Sequence, residues 1–352
     1  MNSNTFLLYG ANGYTGRLIA KYAAQYGLEP VISGRREDVI KPMADELQLS
    51  YKAFDLSNTM QLVRALQEVK VVVHAAGPFA DTARPMIEAC LQAGTHYLDI
   101  NGDINVFEMI KGLDEAAKEK NIMLLPGAGF DVVPTDCMAL HLKNKLPDAT
   151  HLKLAFASIG GGVSHGTAMT IVNKLGEGGA SRKNGQVVRN PIGAKGMWVD
   201  FGTKRRFVMS IPWGDISTAH FTTGIPDIEV YTAVKPGVYK LMKLQNLFNW
   251  LLRMEGVKNI IRKKIKQRPA GPNDEMRSKA KSLIWGAASN ENGKTVTGHF
   301  SCADGYTLTA LSSLIIVKKV LAGNSKPGFQ TPASCYGEDL IMEIPGTGKS
   351  SW

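Results

Sequence analysis

The sequence predicts an α/β protein with two domains: an N-terminal domain built on a doubly wound, mostly parallel sheet, and a second α+β domain. Through residue 146, short apolar runs alternate with segments of helical periodicity, which is the pattern of consecutive parallel β-α-β units. Three glycines spaced three apart follow the first apolar run. Beyond residue 150 apolar positions alternate along longer strands, and Asn292-Gly293 between two of them is a hairpin signal.

The first domain is expected to span residues 1–147. Its predicted strands are 5–9, 30–33, 51–55, 69–76, 95–100 and 122–126, and its helices begin at the glycine turn and cover 37–49, 60–66, 85–93, 106–120 and 137–146. The second domain, 148–304, is expected to contain strands 151–158, 228–234, 281–289 and 294–301 and a helix starting near Thr167. The last part, 305–352, is expected to add a helix (305–321) and a strand near 340–344, which return towards the first domain.

The turn after the first strand has the features of a dinucleotide site. Gly10 permits the turn, Gly13 lets the backbone approach a pyrophosphate, and Gly16 lets the helix pack close to the strand. The first N–H groups of a helix lack intrahelical partners and the helix dipole is positive there, so a diphosphate is a natural ligand. Because the spacing is G-x-x-G-x-x-G rather than G-x-G-x-x-G, a glycine-rich turn without ligand is the alternative. The predicted contacts in this turn are Gly10, Asn12, Gly13, Tyr14, Thr15 and Gly16.

The end of the second strand indicates which cofactor is bound. An NAD site usually has Asp or Glu about 20 residues after the first glycines, whereas this chain has Ser33-Gly34-Arg35-Arg36 and no carboxylate before Glu37. A guanidinium can pair bidentately with a 2′-phosphate and stack on adenine, so the predicted cofactor is NADP(H). Two solvated arginines at the start of a helix are the alternative. The remaining predicted cofactor contacts are Asp55, Ala76, Gly77, Pro78 and Phe79.

Composition and charge limit the classes of protein to consider. The chain has 352 residues, of which 44% are hydrophobic and 20% charged, and its mean hydropathy is −0.09, as in ordinary globular proteins. We expect a cytoplasmic protein with reduced thiols, because no signal peptide or membrane span is apparent and the four cysteines are scattered without metal-like spacing. Residues 235–268 contain ten Lys or Arg and one Glu, a net charge of +9 out of the chain's +10. This concentration in one segment argues against a general nucleic-acid surface.

Residues 236–268 have the pattern of a basic amphipathic helix. Its predicted apolar face continues after a break at Gly256 and contains Leu241, Leu244, Leu247, Phe248, Leu251, Leu252, Ile260, Ile261 and Ile265. With Trp250, such a segment can lie at an anionic membrane surface, which would make the protein peripheral at a membrane. It can equally pack on its own domain or form a homodimer.

An ordered set of short motifs covers nearly the whole chain: Gly10-Ala11-Asn12-Gly13-Tyr14-Thr15-Gly16, Ser33-Gly34-Arg35, Ala76-Gly77-Pro78-Phe79, Gly129-Phe130-Asp131, Pro134-Thr135-Asp136 and Gly305-Tyr306-Thr307. This set resembles the saccharopine dehydrogenase-like oxidoreductases, and most closely their branch that includes trans-acting enoyl reductases of lipid and polyketide assembly. The resemblance implies an N-terminal Rossmann domain, an NADP-type cofactor and a second α+β domain over the nicotinamide. It does not imply one substrate.

The predicted function is NADP-dependent reduction of a C=C or C=O group in a hydrophobic or carrier-bound, lipid-like small molecule. One alternative is saccharopine-like imine or amine chemistry, in which substrate carboxylates would need arginines of the second domain: Arg182, Arg189, Arg205, Arg206 and Arg277. Another alternative is a non-catalytic NADP-binding redox sensor.

The proton donor is unassigned at this stage. Asp131, Tyr97 and Asp103 follow or end predicted strands and His165 follows a glycine loop, but structural or helix-capping roles are the more common ones for such residues. His74, inside an apolar strand, is expected to be a structural histidine. The Y-x-x-x-K pair of Tyr239 and Lys243 is interpreted as coincidental, since it lies in the second domain.

Overall fold

The computed structural model describes residues 4–351, which contain sixteen strands and fifteen α-helices. The strands are β1 (Thr5–Tyr9), β2 (Glu29–Gly34), β3 (Tyr51–Ala53), β4 (Val71–His74), β5 (His96–Asp99), β6 (Met123–Leu125), β7 (His151–Ile159), β8 (Gly179–Lys183), β9 (Gln186–Asn190), β10 (Gly196–Asp200), β11 (Arg205–Ser210), β12 (Asp227–Ala233), β13 (Lys281–Ser289), β14 (Thr295–Ala303), β15 (Gly328–Phe329) and β16 (Gly348–Ser351). The helices are α1 (Tyr14–Tyr22), α2 (Glu37–Leu47), α3 (Thr59–Gln67), α4 (Phe79–Ala93), α5 (Ile104–Lys111), α6 (Asp114–Glu119), α7 (Val133–Lys145), α8 (His165–Asn173), α9 (Asp215–Thr223), α10 (Pro236–Gln245), α11 (Asn249–Leu252), α12 (Glu255–Lys266), α13 (Asp274–Lys279), α14 (Gly305–Leu321) and α15 (Pro332–Tyr336). Short 3₁₀ helices lie at Ala23–Tyr26, Asn246–Phe248 and Glu338–Glu343.

The first sheet is parallel throughout and has the order β15-β6-β5-β4-β1-β2-β3. The strand order reverses between β1 and β4, and a ligand crevice is expected beyond the carboxyl ends of the strands at such a point. Leu7 and Leu8 of β1 and Val72 and Val73 of β4 are completely buried, as the central strands of a sheet covered on both faces must be. The predicted doubly wound α/β domain is confirmed.

The second sheet is mixed and supports the predicted second domain. It has the order β10-β11-β12-β7-β13-β14-β16, with β8 paired to β12 and β9 paired to β8. Strands β12 and β7 are parallel, while β13 and β14 form the predicted antiparallel hairpin. Gly293 in its turn has a φ of +80°, which explains the glycine at this position.

The chain divides into two compact units, and each contains two separate segments. The first unit consists of the chain up to Val133 and of Tyr306–Tyr336, and the second of Pro134–Gly305 and the chain from Gly337. The expected boundary at 147 therefore lies after α7, most of which belongs to the second unit. Helix α14 joins the first unit through hydrogen bonds: Ser312 Oγ donates to the carbonyl of Ala128 at 2.7 Å, and the backbone N–H of Phe130 donates to Thr309 Oγ1 at 2.9 Å.

Several predicted elements need correction. The helix expected over 106–120 is divided into α5 and α6 near Gly112, a residue of low helix propensity. The strand expected near 340–344 is a 3₁₀ helix, because the buried residues Leu340, Ile341 and Ile344 have a helical rather than an alternating spacing. The last strand is instead β16, which pairs with β14 in the second sheet.

Further differences concern the second unit. The break in the basic segment lies between α11 and α12, and Gly256 is inside α12. Strands β8 to β11 and helix α9 were not predicted. Strands β9 and β10 are mostly exposed, and α9 buries polar residues such as Asp215, Ser217 and Thr218, so these elements lack the apolar periodicity that would distinguish them from loops.

All four cysteines are buried free thiols. Among residues 4–351 no helix has the length and apolar character needed to cross a membrane. Within the same residues, no three His, Cys, Asp or Glu side chains are grouped so that they could hold a metal ion.

Candidate functional site

The turn after β1 brings the ends of three strands together. Gly10 has a φ of +86°, a left-handed conformation that favours glycine. The backbone N–H groups of Gly10 and Ala11 donate to the carbonyl of Ser33 at 2.8 and 3.1 Å. A Cβ atom on Gly10 would lie 2.7 Å from the backbone nitrogen of Ala76, so the turn has no room for a side chain. The residues that end β1, β2 and β4 are therefore in close contact.

The first turn of α1 is suited to an anion. Gly13 precedes this helix, no side chain caps the helix end, and the first turn contains no acidic residue. Asn12 and Gly13 are exposed. A Cβ atom on Gly16 would collide with the carbonyl oxygen of Gly10, so only glycine allows the helix to pack this closely on the turn. Because the N-terminal N–H groups carry partial positive charge, this geometry fits a pyrophosphate.

The two arginines after β2 have different surroundings. A Cβ atom on Gly34 would lie 3.0 Å from Oδ1 of Asn12, so the end of β2 adjoins the glycine turn. Arg35 lines a cavity at this edge of the sheet. The side chain of Arg36 is 71% exposed, and its Nε lies 4.0 Å from Oδ1 of Asp38. Of the two predicted cofactor contacts, Arg35 is the one that the structure places beside the cavity.

This cavity has a volume of about 400 Å³ and opens beyond the carboxyl ends of the strands around β1. Its walls combine one cation, two carboxylates and a turn of small residues, and its lining includes Arg35, Asp55, Ser57, Ala76, Gly77, Pro78 and Asp81. A guanidinium suits the extra phosphate of a phosphorylated dinucleotide, and a carboxylate can accept hydrogen bonds from amino or hydroxyl groups. The residues present therefore fit the adenosine end of NADP(H).

The charge states of the cavity wall follow from its hydrogen bonds. Oδ1 of Asp55 accepts a hydrogen bond from the backbone N–H of Ser57 at 2.9 Å. This bond, assisted by the positive charge of Arg35, lowers the pKa of the Asp55 carboxyl. Tyr9 donates its hydroxyl to the carbonyl of Phe54 at 3.1 Å, and burial raises the pKa of this phenol to about 12. At neutral pH Asp55 is charged and Tyr9 is not.

His74 holds the backbone of the turn of small residues, Ala76 to Pro78, in place. Its Nε2 lies 2.9 Å from the carbonyl oxygen of Ala76 and 3.1 Å from Oγ1 of Thr82. Thr82 donates to the same carbonyl at 2.7 Å. His74 is fully buried, and burial lowers its pKa to about 4, so the ring is neutral at physiological pH. The structure thus confirms a structural histidine, one that fixes the backbone after β4.

Asp99 holds the two loops that follow β5 and β6. Its carboxylate accepts hydrogen bonds from the hydroxyl of Tyr97 at 2.7 Å and from the backbone N–H groups of Asn101 and Gly127 at 3.0 and 2.8 Å. Burial raises the pKa of Asp99 in spite of these hydrogen bonds, and it raises the pKa of Tyr97 well above its usual value. Both side chains are fully buried. The hydrogen bond between Tyr97 and Asp99 therefore has a structural role beside the site.

The other candidate proton donors have distinct environments. Asp103 caps α5, since its Oδ1 accepts a hydrogen bond from the backbone N–H of Asn105 at 2.8 Å. Asp131 is half-buried, and a Cβ atom on Gly102 would collide with its Oδ2. His165 belongs to the second unit, where its Nε2 lies 2.7 Å from the carbonyl oxygen of Arg268.

Ser57, Thr82 and Asp99 are site residues that the sequence reasoning missed. The pattern Asp-x-Ser is typical of an Asx turn and could have indicated Ser57. Thr82 was overlooked because α4 was expected to begin at residue 85, whereas it begins at Phe79. The hydrogen bonds of Asp99 reach Gly127, 28 residues away, and no local pattern reports such a contact.

The sheet order, the glycine turn and the cavity define a dinucleotide-binding α/β protein. Residues 6–125 match the family model described as the saccharopine dehydrogenase NADP binding domain, and this part of the chain belongs to that family. The cofactor is therefore NADP(H), as Arg35 predicts.

Similarity to known proteins extends beyond this domain. The chain is 24% identical over 202 aligned residues to the saccharopine dehydrogenase-like oxidoreductase of Mus musculus, and the alignment covers 50% of this chain and 47% of the mouse protein. It is 27% identical to a Mycobacterium tuberculosis protein named as a trans-acting enoyl reductase, over 48% of this chain and 43% of that protein. The chain thus spans about half the length of the curated relatives that it matches.

A solved structure shows the same fold over the whole chain. The apo saccharopine dehydrogenase (L-Glu forming) of Saccharomyces cerevisiae superposes with a TM-score of 0.67 at 12% identity, covering 97% of this chain and 96% of the yeast protein. This likeness shows the fold, and the mouse and M. tuberculosis relatives are named as an oxidoreductase and an enoyl reductase.

Proposed function

We propose that this protein is an NADPH-dependent reductase of a C=C or C=O group in a hydrophobic or carrier-bound substrate. The observation that supports it most is the cavity lined by Arg35 and by the turn from Ala76 to Pro78, together with a helix N-terminus without a side-chain cap. The name of the M. tuberculosis relative supports the reduction of a C=C bond. The bound reduced nicotinamide would supply a hydride to an electrophilic carbon of the substrate.

The protein's own residues bind and orient the cofactor. The N–H groups at the start of α1 would receive the pyrophosphate, and Arg35 would pair with the 2′-phosphate. Ala76 to Pro78 present a backbone edge without large side chains, and His74 holds that edge in place. Asp99 fixes the loops that carry Asp103 and Asp131. A preorganised site of this kind accelerates a reaction by limiting the orientations of the reactants.

Asp131 is the candidate proton donor that we propose to test first. Tyr97 is completely buried and bonded to Asp99, and Asp103 caps a helix, so both have structural roles. Asp131 is half-buried in the loop after β6, where a carboxyl group can be shielded and still be reached. We expect Asp131→Asn to retain NADPH binding and to lose most of the turnover.

The alternative imine or amine chemistry has less support from the arginines. Arg182 and Arg277 are buried and donate to backbone carbonyls, Arg182 to Ile216 at 2.6 Å and Arg277 to Pro272 at 2.9 Å. These hydrogen bonds stabilise the second unit, so two of the five arginines have structural roles. A substrate with several carboxylates would depend on the other three.

Cofactor choice is tested by matched charge reversals at two neighbouring positions. Arg35→Asp removes the cation from the cavity, whereas Arg36→Asp makes the same change on an exposed side chain. Hydrogen bonds to charged groups contribute about 1.5–3 kcal/mol, so we expect Arg35→Asp to weaken NADPH binding by roughly 10- to 150-fold. NADH binding should change little, and Arg36→Asp should alter neither. Equal losses for NADPH and NADH in calorimetry would contradict the assignment.

Assays with a panel of substrates distinguish the remaining hypotheses about function. Pre-bound NADPH should be consumed steadily with enoyl thioesters or hydrophobic ketones. Consumption only with imines formed from amino acids would favour the saccharopine-like reaction. High NADPH affinity without turnover of any compound would favour the redox sensor.

A further inference from the structure

A row of large apolar side chains on the second unit is exposed. We call the residues Leu241, Leu244, Leu247, Phe248, Trp250 and Leu251 the apolar ridge; they lie on α10, the following 3₁₀ helix and α11. Leu247 is 70% and Trp250 67% exposed, and neither α10 nor α11 contains a buried residue. A surface helix normally buries its apolar face, and contiguous exposed apolar patches mark binding sites.

Polar groups and the buried Ile265 of α12, rather than the ridge, attach residues 236–268 to the rest of the second unit. Lys258 is buried and donates to the carbonyl of Asn173 at 2.7 Å, at the C-terminal end of α8. Arg253 donates to the carbonyl of Gly176 at 2.8 Å, and Arg262 to Oδ1 of Asn173 at 2.8 Å. Cations are favoured at a helix C-terminus by the helix dipole. Arg253, Lys258 and Arg262 therefore bind the protein, while the side chains of the ridge are exposed.

The side chain of Tyr239 attaches α10 at its other end. Its ring lies 5.0 Å from that of Phe207 on β11, and a Cβ atom on Gly196 would come within 2.9 Å of it. Lys243 lies over the same ring, 5.0 Å from its centroid. These contacts indicate that Tyr239 and Lys243 have a packing role. They also leave the leucines of α10 exposed.

Positive charge surrounds the ridge. Residues 235–268 have a net charge of +9, and the rest of the chain has +1. Lysines on α10 and α12 are exposed, among them Lys240, Lys243, Lys263, Lys264 and Lys266. Leucine and tryptophan partition into the interfacial region of a bilayer, and each lysine near an anionic surface adds about 1 kcal/mol of attraction.

We propose that the apolar ridge and the lysines beside it bind the surface of an anionic phospholipid membrane, with Leu247 and Trp250 inserted between the headgroups. Charge complementarity favours this occupant over a second copy of the chain. A symmetric dimer would place the same surface patch on both sides of the interface, and two segments of +9 would repel each other. The membrane supplies both an apolar phase and negative charge.

The first experiment measures binding of the full-length protein to vesicles of phosphatidylcholine with and without phosphatidylglycerol. The wild type is expected to sediment with the anionic vesicles and to be released by salt. The double variant Leu247→Ser/Trp250→Ser should lose roughly tenfold or more in affinity. Its matched control is Met60→Ser, because Met60 is 64% exposed on α3 of the first unit and should bind like the wild type. Unchanged circular dichroism would show that the ridge variant folds.

A second pair of variants tests the charge. Lys263→Gln/Lys264→Gln should weaken binding to anionic vesicles, while Lys41→Gln/Lys120→Gln removes the same charge from exposed positions elsewhere and should not. If both pairs of substitutions weakened vesicle binding equally, net charge alone would explain the binding and the localised surface would be overturned. Failure of the wild type to bind anionic vesicles, or undiminished binding by the ridge variant, would overturn the proposal. The proposal would also be overturned if the wild type formed a dimer and did not bind vesicles, and the ridge variant were a monomer.

Tryptophan quenching locates the inserted side chain. Brominated phospholipids should quench the fluorescence of the bound wild type, and Trp250→Phe should remove most of this quenching while retaining vesicle binding. The chain has four other tryptophans, so the difference between the two proteins is the informative quantity. Undiminished quenching in Trp250→Phe would contradict insertion of the ridge.

Discussion

The replacement Gly10→Ala tests the packing of the glycine turn on which the site depends. Gly10 has a φ of +86°, and the backbone nitrogen of Ala76 and the carbonyl carbon of Ala75 lie 2.7 and 2.8 Å from the position that a Cβ atom would occupy. Gly94, which follows α4, is the matched control. It has a φ of +74° and no atom within 4 Å of the corresponding Cβ position.

The geometry of the two glycines gives the expected magnitudes. A left-handed conformation costs alanine about 1–2 kcal/mol, and this cost applies to both variants. Overpacking adds about 1–3 kcal/mol, and it applies only at Gly10, where the contacts include backbone atoms that cannot turn aside. Gly94→Ala should therefore lower the free energy of unfolding by about 1–2 kcal/mol and Gly10→Ala by about 2–5 kcal/mol.

Urea unfolding measures both free energies, and calorimetry measures NADPH binding. Gly10→Ala should also weaken NADPH binding, since relief of the overlap moves the residues of the cavity wall around Ala76. Gly94→Ala should bind NADPH like the wild type. If the two variants were destabilised equally and both bound NADPH normally, the turn would not be packed against Ala76 and the reasoning would be refuted.

Two further predictions concern the supporting residues. Asp103→Ala should lower the free energy of unfolding by about 1 kcal/mol through loss of the helix cap. Asp103→Asn can still cap the helix and should leave both stability and turnover nearly unchanged. Loss of turnover in the stable Asn variant would instead make Asp103 the proton donor. His74 has a pKa of about 4 in the folded protein against about 6.5 unfolded, so between these values the unfolded state binds more protons and stability falls as pH falls. From about pH 7.5 to 5 the wild type should lose about 2 kcal/mol more than His74→Gln in urea unfolding, and parallel losses would contradict the assignment of a buried neutral histidine.

Features that depend on a few consecutive residues could be predicted from the sequence. The alternation of strands and helices, the glycine turn and the hairpin at Gly293 each follow from local backbone requirements, and the structure has all three. The preference for NADP(H) followed from the arginines after β2 and the absence of a carboxylate before Glu37. These residue types act through chemistry that does not depend on distant neighbours.

Burial and exposure were decided by the tertiary structure. Arg35 and Arg36 are adjacent, alike in sequence and both exposed, yet Arg35 lines the cavity while Arg36 lies beside Asp38. Tyr97 appeared able to donate a proton, and only its contact with Asp99 in the core shows a structural role. The apolar face of α10 could equally have been a core face or a binding surface. Which of these it is depends on whether another part of the protein covers it, and in a sequence the covering residues are not adjacent to the helix that they would cover.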